Sequence, residues 1–121
     1  MSTKRILIII ALLAAVSLML AACGSDSQPR PLALTIHAQD IKFDLTTLTA
    51  RVDQPVNLTY VNQGTLDHAF VVDGLVSEQK VKPGETLTFT FTPHTAGAFK
   101  FYCAMPGHEM AGMVGTLTVT P

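Results

Sequence analysis

Cys103, His108 and Met113 follow one another at intervals of five residues within the stretch Ala98 to Met113. Thiol, imidazole and thioether are donors for a soft or borderline metal ion. Pro106-Gly107 lies between the first two and Gly112 precedes the third, so turns can fold all three side chains back toward one point. The set contains no carboxylate. A thiolate with imidazoles suits copper or zinc, and an added thioether favours copper. Taken alone, a cysteine at a strand end is more simply a small buried hydrophobe; the company Cys103 keeps is what argues for a ligand. A second imidazole is still needed, and His68 is the best placed. It opens an apolar strand directly after a loop, which sets its ring at the end of a fold rather than in its middle. His37, in a polar strand end, and His94, in the Pro93-His94-Thr95 turn, read as exposed and uninvolved. Met105, Pro106, Met110 and Ala111 read either as loop packing or as an apolar collar around the edge of the His108 ring.

The elements that must hold these residues have period two. Leu32, Leu34 and Ile36 alternate with Ala33 and Thr35, and a second short strand is expected between Ile41 and Leu45. Val56, Leu58 and Tyr60 alternate with Asn57 and Thr59 before the turn residues Asn62-Gln63-Gly64. His68 to Val72 is a continuous apolar strand ended by Asp73-Gly74. Lys82-Pro83-Gly84 has the order of a type II turn. After it Leu87, Phe89 and Phe91 face one way and Thr86, Thr88, Thr90 and Thr92 the other. Phe99, Phe101 and Cys103 alternate with Lys100 and Tyr102, and Leu117 and Val119 close the chain among threonines. No window offers an amphipathic helix of three turns, so the fold class is all-β, with two packed sheets.

Of 121 residues, 48% are apolar, enough for one domain with a modest core. Part of that apolarity is N-terminal. Lys4 and Arg5 precede an apolar run from Ile6 to Ala22, the layout of an export signal. The run ends Leu20-Ala21-Ala22-Cys23, which resembles the bacterial lipobox and implies cleavage before Cys23 and acylation of its thiol. An uncleaved membrane anchor is the alternative, and both leave the rest of the chain outside. Residues 1–22 are thus expected to be a signal peptide, 23–31 the lipidated cysteine and a flexible tether, and 32–121 the folded domain. The chain has only two cysteines. If Cys23 is acylated, Cys103 has no disulfide partner, and a lone thiol outside the cell persists when buried or metal-bound. After Ala22, six basic side chains stand against nine acidic ones, a net charge of −3. Nothing here suits nucleic acid.

Residues 32 to 121 resemble the cupredoxins, the small type-1 blue copper proteins, with spacing most like the auracyanins. The resemblance rests on a His after an Asn-x-Gly turn (Asn62 to Val72), on Pro93-x-x-Ala96-Gly97-x-Phe99-x-Phe101-x-Cys103, and on Cys-x4-His-x4-Met. It implies a Greek-key β-sandwich of seven to eight strands. It also implies one mononuclear copper site with His68, Cys103 and His108 as equatorial ligands and Met113 as the weak axial one, Met110 being the alternative in the same loop. One departure is Ala69, where the family often has an Asn that ties the His strand to the Cys loop. A binuclear copper centre is disfavoured, because its second cysteine would fall at Gly107.

The ligand set then implies a one-electron carrier, not an enzyme. It would be anchored through Cys23 on the periplasmic or external side, a monomer that meets redox proteins near His108, Met105, Pro106 and Met110. A copper chaperone or scavenger is the runner-up, motivated by the surplus thioethers, and structural zinc would use the same Cys and His residues.

Overall fold

The computed structural model describes residues 28–121, so the expected signal peptide, Cys23 and most of the tether lie outside the described residues. Nine strands occur there: β1 (Leu32–Gln39), β2 (Lys42–Phe43), β3 (Thr47–Arg51), β4 (Val56–Asn62), β5 (His68–Val72), β6 (Val76–Val81), β7 (Thr86–Phe91), β8 (Gly97–Tyr102) and β9 (Val114–Thr120). One sheet has the order β2-β1-β4-β7 and the other β3-β9-β8-β5-β6. Both are mixed, with β1 parallel to β4 and β3 parallel to β9. The class is all-β, as the alternation implies, and no helix among the described residues is long and apolar enough to cross a membrane.

The count corrects the expectation of seven to eight strands. The segment expected between Ile41 and Leu45 shrinks to Lys42–Phe43, because Ile41 has φ +58° and turns the chain at the end of β1. Two strands, β3 and β6, carry too few apolar residues to stand out: only Leu48 and Ala50 of β3, and Val76 and Val81 of β6, are buried. An edge strand with one half-used face gives a weak periodic signal.

Between the sheets, Phe43, Tyr60, Phe70 and Phe101 form an aromatic centre. Phe70 and Phe101 stack with ring centroids 5.3 Å apart, and the Phe43 edge meets Phe101 at 5.3 Å. Gly115 makes room for it. A Cβ there would lie 2.1 Å from the Phe101 ring, so the aromatic covers backbone where a side chain would otherwise stand. This packing fixes the relation of β8 to β9, and with it both ends of the loop between them.

The antiparallel register of β5 with β8 pairs Val71 with Tyr102 and Val72 with Phe101. His68, at the start of β5, therefore lies beside the chain leaving β8. All five residues of β5 are buried.

Candidate metal centre

His68, Cys103 and His108 come together at one end of the sandwich, their donor atoms all within 4.8 Å of one another. Cys103 Sγ lies 3.4 Å from His108 Nδ1 and 3.9 Å from His68 Nδ1. With metal–sulfur and metal–nitrogen bonds of about 2.3 and 2.0–2.1 Å, ligands around one ion stand roughly 3.5–3.8 Å apart. The three donors are therefore spaced for an ion between them. His68 fits the same reading. It is fully buried, and its Nε2 is the buried side-chain nitrogen without a hydrogen-bond partner among the described residues. The nitrogen that faces Cys103 is its Nδ1, and an ion bound there would leave the ring proton on Nε2.

Met113 is also fully buried, whereas Met110 is 94% exposed. The Met113 carbonyl accepts the Cys103 N–H at 3.0 Å, and its own N–H donates to the His108 carbonyl at 3.0 Å. Of the two thioethers weighed for the axial position, only Met113 is thus held against both other loop ligands. Met105 is half-buried against the core. Ala104, Pro106, Met110 and Ala111 are exposed around the half-buried His108.

The 103–113 loop holds itself together. His108 N–H donates to Met105 O, Ala111 N–H to Gly107 O and Gly112 N–H to Glu109 O. Gly107 and Gly112 have φ of +81° and +98°, a region in which only glycine is unstrained. Lys100 on β8 pairs with Glu109 and lies 4.6 Å over the Tyr102 ring. Tyr102 in turn donates to Asp73 at 2.8 Å.

The 62–67 segment before His68 is held partly by the Asn62 side chain and partly from outside. Buried Asn62 donates to Leu66 O at 2.8 Å and to Val81 O at 3.1 Å, and accepts the Gly64 N–H at 2.9 Å. In the sequence Asn62 reads only as a turn former; its place on the same face as Val56, Leu58 and Tyr60 is the signal that was available. The missing Asn at position 69 is answered by the main chain, since Ala69 N–H donates to Cys103 Sγ at 3.3 Å. Tyr60 Oη donates to the Ala69 carbonyl at 3.3 Å, fixing that peptide from the other side. Burial and the charge of His108 push the His68 imidazole below its ordinary value, while Asp40 and Asp67 oppose them. The neutral form, which a metal requires, is favoured.

The remaining histidines stay outside the cluster. His94 is exposed and paired with Asp53 at 2.7 Å. His37 is not exposed as expected but half-buried, its Nδ1 2.7 Å from Asp44.

A family model described as a cupredoxin-like domain matches residues 8–119. The copper-resistant cuproprotein CopI of Rubrivivax gelatinosus is 27% identical over 118 residues, 79% of this chain and 70% of that one. Auracyanin-A of Chloroflexus aurantiacus is 23% identical, covering 84% and 90%. Among solved structures, a dithionite-reduced auracyanin from Roseiflexus castenholzii superposes with a TM-score of 0.68 at 21% identity, over 76% of this chain and 99% of that one.

Proposed function

The chain belongs to the cupredoxin-like domain family, and on that premise we propose that it is a membrane-tethered, extracytoplasmic type-1 copper protein carrying single electrons between redox partners. The observation that carries this reading is the buried Cys103 thiol between two imidazole Nδ1 atoms at metal spacing. His68, Cys103 and His108 hold the ion and Met113 is the weak fourth ligand. Copper bound by such a set supplies a one-electron couple with little change of geometry. The Ala69 amide donates to Cys103 Sγ and holds the sulfur in its direction. The self-bonded loop keeps the donors in place in both oxidation states. His108 is the ligand with an edge toward solvent, and the exposed Pro106, Met110 and Ala111 around it form the surface on which a redox protein docks transiently.

Residues 1–22 direct export and Cys23 carries the lipid, with 24–31 as tether. Two or more acyl chains hold a domain to a membrane stably. Absorption and paramagnetic resonance spectra of the copper-loaded 32–121 domain test the core of the reading: an intense thiolate-to-copper band that ascorbate bleaches is expected, and a colourless Cu(II) complex would refute it. Metal analysis of protein from its source separates copper from structural zinc. Replacing Cys23 by Ser should release the protein from the membrane.

A second reading, copper capture or delivery, is favoured by the relative named as a copper-resistant cuproprotein and by the 94% exposure of Met110. It predicts ready transfer of Cu(I) to an acceptor chelator. Retention of copper through redox cycling would count against it.

A further inference from the structure

The geometry points to Asp40, 28 residues before His68, as a positioning residue that locks the His68 loop and biases the copper toward its oxidised state. This rests on the copper reading above. Asp40 Oδ1 accepts the Thr65 N–H at 2.7 Å and Oδ2 accepts the Thr65 hydroxyl at 3.1 Å, so one carboxylate grips the loop through both oxygens. The fit is close. A Cβ on Gly64 would lie 2.5 Å from Asp40 Oδ1 and 3.2 Å from the backbone of Gln39 and Asp40. Gln63 N–H also donates to Ala38 O at 2.8 Å, so the 63–65 segment lies along the end of β1.

The turn that presents Asp40 is itself strained. Ile41 is β-branched yet has φ +58°, a conformation that persists only where surrounding contacts over-determine it. The grip of Asp40 on Thr65 supplies such a contact.

Charge gives the second half of the argument. The Thr65 amide above all, helped by its hydroxyl and the Leu66 amide, holds the Asp40 carboxyl below its ordinary range, so a full negative charge sits on the clamp of the segment that leads into His68. Two neutral imidazoles and one thiolate give a net charge of about +1 with Cu(II) and about zero with Cu(I), and a nearby anion favours the former.

Three variants separate clamp from charge: Asp40→Ala removes both, Asp40→Asn keeps an acceptor for the Thr65 amide without the charge, and Thr65→Val keeps the charge with one bond fewer. In metal-free protein, exchange of the Thr65 amide proton should accelerate about tenfold or more in Asp40→Ala and stay within roughly threefold of wild type in Asp40→Asn. With copper, Asp40→Ala should broaden the thiolate-to-copper band and release the metal about tenfold faster. Asp40→Asn should keep the spectrum but shift the Cu(II)/Cu(I) equilibrium toward Cu(I) roughly two- to fivefold, less at high salt. Thr65→Val should show a smaller acceleration and no salt-dependent shift. Unchanged Thr65 protection and copper release in Asp40→Ala would overturn the clamp, and an unshifted equilibrium in Asp40→Asn would overturn the bias. If Asp40→Ala fails to fold, the other two variants decide both points. If wild-type protein shows no thiolate-to-copper band, the copper reading fails, while amide exchange in the metal-free protein still tests the clamp.

Discussion

The two segments that bring ligands to the centre are built in opposite ways. The 103–113 loop is tied by its own peptide groups, from Cys103 and Met113 at its mouth to Gly107 and Ala111 at its tip. The 62–67 segment makes two bonds to itself, both through the Asn62 side chain, and otherwise depends on Asp40, Ala38, Val81 and the 84–85 turn. A loop of the first kind can carry its ligands as a cassette. A segment of the second kind holds its ligand only within this sandwich.

The largest effect should come from the cassette's central ligand. Cys103→Ala should abolish the thiolate-to-copper band altogether while leaving the 62–67 contacts, read by amide exchange, as they were; loss of those contacts as well would mean that the two segments are not independent. Asn62→Ala should destabilise the domain by about 2–4 kcal/mol, since it removes three bonds at a buried site and strands their partners. A thermal midpoint unchanged from wild type would dissolve the contrast. Gly64→Ala should cost roughly 1–3 kcal/mol, because the added methyl meets backbone as well as the Asp40 carboxylate; chemical denaturation measures it.

A pH series sharpens the comparison further. In metal-free protein the folded-state value of His68 is depressed, so the unfolded chain binds more protons once the pH falls below about 6.5. The stability present above that pH is lost below it, and a flat profile of thermal midpoint between pH 7.5 and 5 would contradict this. The smallest effect belongs to the exposed rim of the cassette: Met110→Ala should change stability by less than about 0.5 kcal/mol. A large loss on denaturation would place Met110 in the structure of the loop after all.

The same contrast explains what could be read in the sequence. Cys103, His108 and Met113 are legible because their loop is contiguous, and its Pro and Gly residues announce the turns. His68 is legible because it opens a wholly apolar strand. The burial of Met113 and exposure of Met110 were not readable, since both are thioethers in one loop and only the closing bonds to Cys103 and His108 distinguish them. Asp40 and Asn62 were missed for a different reason. Their partners lie 25 and 19 residues away, so no neighbour in sequence marks the grip, and only the place of Asn62 on the Val56-Leu58-Tyr60 face hints at it. Strands β3 and β6 escaped notice because each buries only two side chains, in alternation with polar ones in β3 and at the two ends of the strand in β6.

The parallel pairing of β3 with β9 has a consequence for the order of events in time. β9 lies between β3 and β8 in its sheet, so neither neighbour has a partner on that side until Val114–Thr120 has been delivered. A chain threaded across a membrane from its N-terminus would bring out His68, then Cys103 and His108, before the strand that closes their loop. In such a chain the finished centre would form only once that strand is paired, and an ion met earlier would find separate ligands rather than a site.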